Sequence, residues 1–493
     1  MAVETEMVST PSQVDVFRGN DRILFGIILG VLTFWLFAQT TLNIAPDMGH
    51  DLRLSASTMN TAVAITALFS GIFIVVIGGL ADRVGRVRIV RIGFYLSILG
   101  SLLVGLAPSG RWASSFLLTG RSVQGLSGAC IMPASLALVK TYWEGEARQR
   151  AVSLWSIGSW GGSGVCALFG GLVTQSLGWR YIFFGSVVAA LLGLVLIRGT
   201  PESRARNEAS YRFDFPGVVT FMVAMVSLQI VVTQGNRFGW TSRPVLVLIA
   251  VGLTTGALFV CIETRTSAAF VDFSLFSNST YTGAFLSNFL LNAAAGTMIV
   301  SLELVQLGGN MTAKQAGMLT LGYAVAIISF IRVGEKLLQR FGARKPMVWG
   351  CLITGLSILL LSPANLLLNH YKTLAVIGYT LYGVGLAFYA TPSTDAALSS
   401  LPEGQAGAGS GIYKMASSLG AAFGVAISAT IFTSLSSGTD SARWMEGVIT
   451  FYGRHDNLAV RAAAMIALMF NILMVAFAIL SIVLTIPAGK KPS

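Results

Sequence analysis

Fourteen apolar runs separated by short polar segments make up nearly the whole chain. They read as 23–46, 58–80, 89–108, 112–139, 151–175, 179–198, 216–236, 244–262, 281–308, 316–334, 346–368, 372–399, 407–434 and 462–487. Runs of about 20 apolar residues are long enough to cross the hydrocarbon core as helices. The pattern therefore predicts an all-α membrane protein of fourteen spans. An even number of spans puts both termini on one side.

The basic residues say which side. With the N-terminus in the cytoplasm, 21 of the 33 Lys and Arg residues fall in cytoplasmic segments, ten fall outside and two, Arg121 and Lys414, lie within spans. Short cytoplasmic loops carry an excess of Lys and Arg, so both termini are expected in the cytoplasm. The first 20 residues carry Glu4, Glu6 and Asp15. A cleavable signal would begin basic and continue into an apolar core, so the first run is expected to remain as a helix.

Composition narrows the class. The chain has 493 residues, 54% hydrophobic and 11% charged, with mean hydropathy +0.73. Globular proteins carry about 25% charged residues. The net charge of +12 sits in loops between apolar runs, and no basic segment is interleaved with exposed aromatics as single-strand binders require. Nucleic acid is thereby excluded as a partner. Cys130, Cys166, Cys261 and Cys351 fall inside apolar runs without metal-ligand spacing or a disulfide framework. His50, His370 and His455 fall between runs, which leaves no histidine relay inside the membrane. No serine-histidine pair, metal cluster or nucleotide loop is present, so neither an enzyme nor a metal or other cofactor is implied.

A faint repeat divides the chain. Leu80-Ala81-Asp82-Arg83-Val84-Gly85 is echoed by Leu337-Leu338-Gln339-Arg340-Phe341-Gly342, each after the second helix of a six-helix block. The expected organisation is a cytoplasmic tail 1–22, an N-terminal six-helix bundle 23–200, a linker 201–280 with two extra spans, a C-terminal six-helix bundle 281–488 and a tail 489–493. Two related halves around a midplane cavity form a usual transporter plan.

Motifs make the plan specific. Gly78-Gly79-Leu80-Ala81-Asp82-Arg83-Val84-Gly85-Arg86 is a tight basic turn between two apolar runs. Its spacing, G-x-L-x-D-R-x-G-R, resembles the loop signature of the major facilitator superfamily. Arg121-Ser122-Val123-Gln124-Gly125-Leu126-Ser127-Gly128-Ala129 resembles the R-x-x-Q-G-x-x-x-A motif of its drug exporters. The glycine-rich antiporter motif of span 5 keeps its flanking glycines at 162–171, but Cys166 and Ala167 replace the central Gly-Pro. The chain is most similar to the fourteen-helix drug:proton antiporter branch, and within it to Nor-type quinolone-efflux pumps. Stretches at 33–39, 155–164, 331–338, 390–395 and 411–417 carry that likeness. The resemblance implies two six-helix bundles with two inserted helices. It also implies proton-coupled export of amphipathic cationic or zwitterionic drugs, such as quinolones, quaternary ammonium compounds or dyes, across a bacterial cytoplasmic membrane. A monomer is expected.

Polar side chains in lipid must face protein or water, so polar stripes mark the cavity. Trp35, Gln39 and Asn43 recur at i, i+4, i+8 in span 1 and share a helix face. Asn288, Asn292 and Glu303 fall in one sector of span 9, and Gln124 belongs to the span 4 motif. The alternative, that such amides only bind helices together, stays open. Span 1 lacks the acid many drug exporters carry there. The proton-coupling candidates are then Glu303 first, followed by Asp395, Asp47 and, on the motif loop, Asp82, with Arg121 biasing a nearby acid or ordering water. Asp395 and Lys414 are expected to form a structural ion pair. Asp82, Arg83, Gly85 and Arg86 are expected to latch the halves, with Asp82 meeting a helix N-terminus of the other half. Export of an endogenous metabolite is the second reading, and a non-transporting membrane sensor the third.

Overall fold

The computed structural model describes residues 17–205, 214–266, 271, 273–366, 368–436, 449–453 and 457–488. Glu4, Glu6, Asp15, His455, the tail 489–493 and the basic residues Arg206, Arg212, Arg443, Arg454, Lys490 and Lys491 lie outside the described residues. Within them the chain is helical, with no strand.

Thirteen helices are long and apolar enough to cross a membrane. Together with one shorter apolar helix, α6, they follow in order. They are α1 (Asp21–Ala38), α2 (Thr58–Val84), α3 (Arg86–Gly105), α4 (Ala113–Tyr142), α5 (Gly145–Ser176), α6 (Arg180–Leu196), α7 (Phe215–Val232), α8 (Arg243–Glu263), α9 (Ser279–Gly308), α10 (Gln315–Phe341), α11 (Arg344–Leu361), α12 (Leu368–Ser399), α13 (Glu403–Ser436) and α14 (Leu458–Thr485). Helix α6 is 17 residues long, about 26 Å. At its start Arg180 and Trp179 hydrogen-bond Asp51, and Arg180 also donates to Ala107 O at 3.2 Å. Past its end, Glu202 accepts from Val87 N at 2.8 Å and Arg88 N at 3.0 Å, capping α3. The Arg180 guanidinium holds the Asp51 carboxyl below its ordinary range.

The sequence sets the helix ends. Asn20 accepts from Ile23 N at 3.0 Å to cap α1, Asp214 caps α7 just ahead of Pro216, and Asn278 accepts from Thr280 N and Tyr281 N to open α9. Such caps satisfy backbone donors that a helix leaves unpaired. Gly85 (φ 129°) and Gly342 (φ 73°) end α2 and α10, a positive φ that glycine adopts without steric cost. They are also the equivalent glycines of the repeat.

Packing repeats with the sequence. The pairs α2–α4, α3–α4, α3–α6 and α1–α6 recur as α10–α12, α11–α12, α11–α14 and α9–α14. One apolar core, around Phe94, Ile131 and Trp155, continues across the seam to Leu398, Ile412 and Tyr413, and a second, around Ile327, Tyr379 and Leu468, fills the C-terminal half. The α7–α8 hairpin packs through α7 against α2 and α13, across the seam between the halves. Helix α8 turns Leu246, Val247, Leu253 and Leu258 outward, as a lipid-facing helix does.

Candidate functional site

Three of the membrane helices depart from α geometry over one turn. Thr33–Ala38 in α1, Ile157–Gly161 in α5 and Leu304–Gly308 in α9 are π-helical. Wide turns of this kind frequently occur at functional sites. Those in α1 and α5 bring Trp35, Ser159 and Trp160 to a central cavity of about 190 Å³. The other half contributes Asn292, Tyr323, Tyr382, Lys414, Ser417 and their neighbours. The cavity is thus shared by both halves and has no Asp or Glu among its described lining residues.

The predicted stripes meet this cavity only in part. Trp35 and Asn292 line it; Gln39 and Asn43 do not. The reason is a break in α1. Gln39 N donates to Phe34 O and Leu42 N to Gln39 O, so the i, i+4, i+8 register ends at 39–40. Asn43 lies beyond the break and donates to Cys166 Sγ at 3.7 Å. Helix α9 breaks at 294–295, which turns Glu303 out of the sector of Asn288 and Asn292. Glu303 is half-buried and off the cavity. Asp47 sits exposed on the short helix Thr41–Leu52 and also stands away from it. Asn288 is buried behind the wall, where its Nδ2 donates to Tyr413 O at 3.0 Å and Ser417 Oγ at 2.7 Å.

Arg121 is fully buried and makes no ion pair among the described residues. It donates to Ala38 O at 2.8 Å, Ala62 O at 3.1 Å and Gln124 Oε1 at 2.7 Å. Gln124 in turn donates to Ser101 Oγ at 3.2 Å. Gln124 is therefore inside the N-terminal half and not in the cavity, because it is spent on the arginine.

The expected Asp395–Lys414 pair is not formed. Asp395 lies in the last turns of α12 and pairs with Arg148 of α5 at 3.0 Å, across the halves. Lys414 lies deeper, eight residues beyond the first α-helical residue Ala406, or about 12 Å along the axis. Its ammonium sits 4.8 Å from the Trp155 ring centre and 5.9 Å from that of Trp35.

A second contact closes the same face. Gly407 N donates to both Asp82 oxygens at 2.8 Å, and Ala408 N to Asp82 Oδ2 at 3.0 Å. Asp82 thus caps the N-terminus of α13, where the partial positive charge favours an anion. Arg86 pairs with Asp82 at 2.8 Å and donates to Glu403 O at 2.7 Å, Thr141 Oγ1 at 2.6 Å and Ser203 Oγ at 3.0 Å. Arg83 is half-buried beside them. Backbones touch here: a Cβ on Gly407 would lie 2.3 Å from Gly78 O. Sequence reasoning missed Arg148, Thr141, Ser203 and Glu202. The signal for Arg148 was its place in the first turns of a span whose partner half carries Asp395.

Comparison with known proteins agrees with this architecture. The Major Facilitator Superfamily profile matches residues 24–425 and again 280–490. Quinolone resistance protein NorB of Staphylococcus aureus (strain MRSA252) is 45% identical over 446 residues, covering 89% of this chain and 96% of the relative. Among solved structures, the proton:xylose symporter XylE bound to 6-bromo-6-deoxy-D-glucose aligns with TM-score 0.63 at 16% identity, over 96% of this chain and 97% of that one. The human organic anion transporter MFSD10 aligns with TM-score 0.60 at 13% identity, over 92% and 98%. At these identities the structures speak for the fold.

Proposed function

The chain belongs to the major facilitator superfamily, and from that premise we propose that it is a multidrug efflux transporter working by proton antiport with alternating access. The observation that carries this reading is the cavity shared by both halves, next to a face held shut by Asp82 and by the Arg148–Asp395 pair. The likeness to a quinolone resistance protein supports amphipathic drugs as cargo. The excess of basic residues on the Asp82 side supports a cytoplasmic location for that face and for both termini. The protein then works as a multi-pass protein of the cytoplasmic membrane.

In this mechanism the charged contacts are the latch. While Asp82 is ionised it holds the α13 N-terminus and Arg86, and while Asp395 is ionised it holds Arg148. A proton arriving from outside neutralises a carboxylate, weakens the latch and lets the cytoplasmic face open. The cavity then widens towards the 300–1,000 Å³ typical of drug pockets (about that range) and takes drug from the inner side. Proton release restores the latch and turns the cavity outward. One charge moving through about 100 mV contributes about 2.3 kcal/mol, which sustains more than a tenfold drug gradient, roughly.

The test is drug-driven proton movement in everted vesicles, with a panel of cations, zwitterions and neutral compounds, beside growth inhibition of a susceptible host. Expression should raise resistance to several amphipathic drugs, and drug addition should release protons. Excretion of a metabolite without drug resistance would replace the reading with the metabolite exporter. No transport of either kind would leave the sensor.

A further inference from the structure

Resting on that export reading, the geometry points to Lys414 as the group that receives the carboxylate of an aromatic acid in the central cavity. Lys414 is 3% exposed and lines the cavity between the halves. It makes no ion pair or hydrogen bond among the described residues. The carboxylates of the neighbouring faces are committed elsewhere, Asp395 to Arg148 and Asp82 to Arg86. Two indole faces, Trp155 and Trp35, flank the ammonium. Ring quadrupoles attract a cation but do not neutralise it, and a desolvated charge without a counterion is unfavourable. The missing partner is an anion.

The surrounding polar groups agree. The Trp35 indole N–H has no acceptor among the described residues, and Lys414 Nζ is 5.9 Å from that ring centre, so both donors border the same part of the cavity. Ser417 Oγ accepts from Asn288 Nδ2, which leaves its own hydroxyl proton for a ligand. Asn292 Nδ2 is spent on Asn288, so its carbonyl oxygen remains as an acceptor. The site thus offers two donors close to one cation, and an amide oxygen with the Tyr323 and Tyr382 rings on the C-terminal wall. A zwitterion with a carboxylate at one end and an amine at the other matches both. A purely cationic drug meets Lys414 as a like charge, so the expected preference for cations is inverted at this subsite.

The experiment measures binding of a fluoroquinolone and of its carboxyl methyl ester to the full chain in nanodiscs, with transport of both in vesicles. Wild type should bind the acid about tenfold or more tightly than the ester, as a hydrogen bond to a charged group implies. Lys414→Gln should lose that factor for the acid and hold the ester within about twofold. Lys414→Arg should restore most of it, and Lys414→Glu should favour quaternary ammonium compounds over the acid. Retained ester binding shows that the variants are folded. Equal affinity of wild type for acid and ester, or equal loss of both in Lys414→Gln, overturns the inference and leaves drug export standing. Failure of wild type to bind or export either compound overturns both.

Discussion

Replacing Asp82 with Asn removes one negative charge and almost nothing else. The amide oxygen can still accept from Gly407 or Ala408, yet the ion pair with Arg86 at 2.8 Å is gone. The added NH2 group faces two backbone N–H donors that need acceptors. The site is buried, Asp82 at 4% and Arg86 at 2% exposed, so solvent screens little of the loss. A charge at a partly buried helix N-terminus is worth up to about 2 kcal/mol. Breaking a buried pair costs about 3–5 kcal/mol, and Arg86 keeps three other acceptors, which places the net at the lower figure. About 3 kcal/mol shifts the ratio of closed to open forms of the latched face by roughly 150-fold. Spin labels at Glu144→Cys before α5 and Ser399→Cys at the end of α12, both exposed, report that separation in a background free of native cysteine. Asp82→Asn should add a long-distance population and cut export, while drug binding stays near wild type. An unchanged distance distribution, or lost binding with the face still shut, would falsify the latch.

Three further outcomes follow from the same contacts. Arg148→Asp or Asp395→Arg alone should open the labelled face, and the double reversal should recover part of the closed population; no recovery means the 3.0 Å pair carries no coupling. Gly407→Ala puts a Cβ 2.3 Å from Gly78 O and 2.8 Å from Asp82 Oδ1, so the face cannot close. Export should fall at least about tenfold with binding retained, and normal export would contradict the close approach. Glu303→Gln removes a half-buried acid that stands off the cavity. Drug-driven proton release should stay within about twofold of wild type, and its abolition would return Glu303 to the coupling path.

Much of the fold was legible because lipid imposes one rule on every span. Apolar length located the helices, and the Gly85 and Gly342 turns located the halves. Asp82 was legible for a similar reason: an acid at the end of an apolar run, ahead of a glycine, needs a positive partner. The cavity was harder. Helical periodicity placed Gln39 and Asn43 with Trp35, and a π-helical turn with a break at 39–40 undid that phase within one residue. No side-chain pattern announces such a break. The Asp395–Lys414 pairing failed on depth, since adjacent helices run in opposite directions and Asp395 stays near the face while Lys414 reaches the middle. Arg148 is 247 residues away from Asp395, and only the packing of the two halves brings them together.

The breaks themselves explain Arg121. Helices α1 and α9 hold the same place in the two halves, and each gives up an i→i+4 bond at its break. Leu42 N donates to Gln39 O and Met298 N to Ala295 O, both at 3.2 Å. Ala38 O, so released, and Ala294 O, which keeps a backbone bond from Thr297 N at 3.0 Å, each take a side-chain donor from the fourth helix of their half. Arg121 Nη1 donates to Ala38 O at 2.8 Å, and Tyr382 OH to Ala294 O at 3.0 Å. On this account Arg121 holds α1 in its broken form, and the proposed proton coupling depends on it through that shape. Tyr382→Phe should lower stability by about 1 kcal/mol, the worth of one hydrogen bond. Arg121→Lys keeps the charge but not the planar fork that reaches Ala38, Ala62 and Gln124 together. It should cost about 2–3 kcal/mol and lower the melting temperature by several degrees, roughly 4–8, alongside the loss of export. Arg121→Lys with wild-type melting and no transport would refute the argument, because the arginine would then act on protons without shaping the helix.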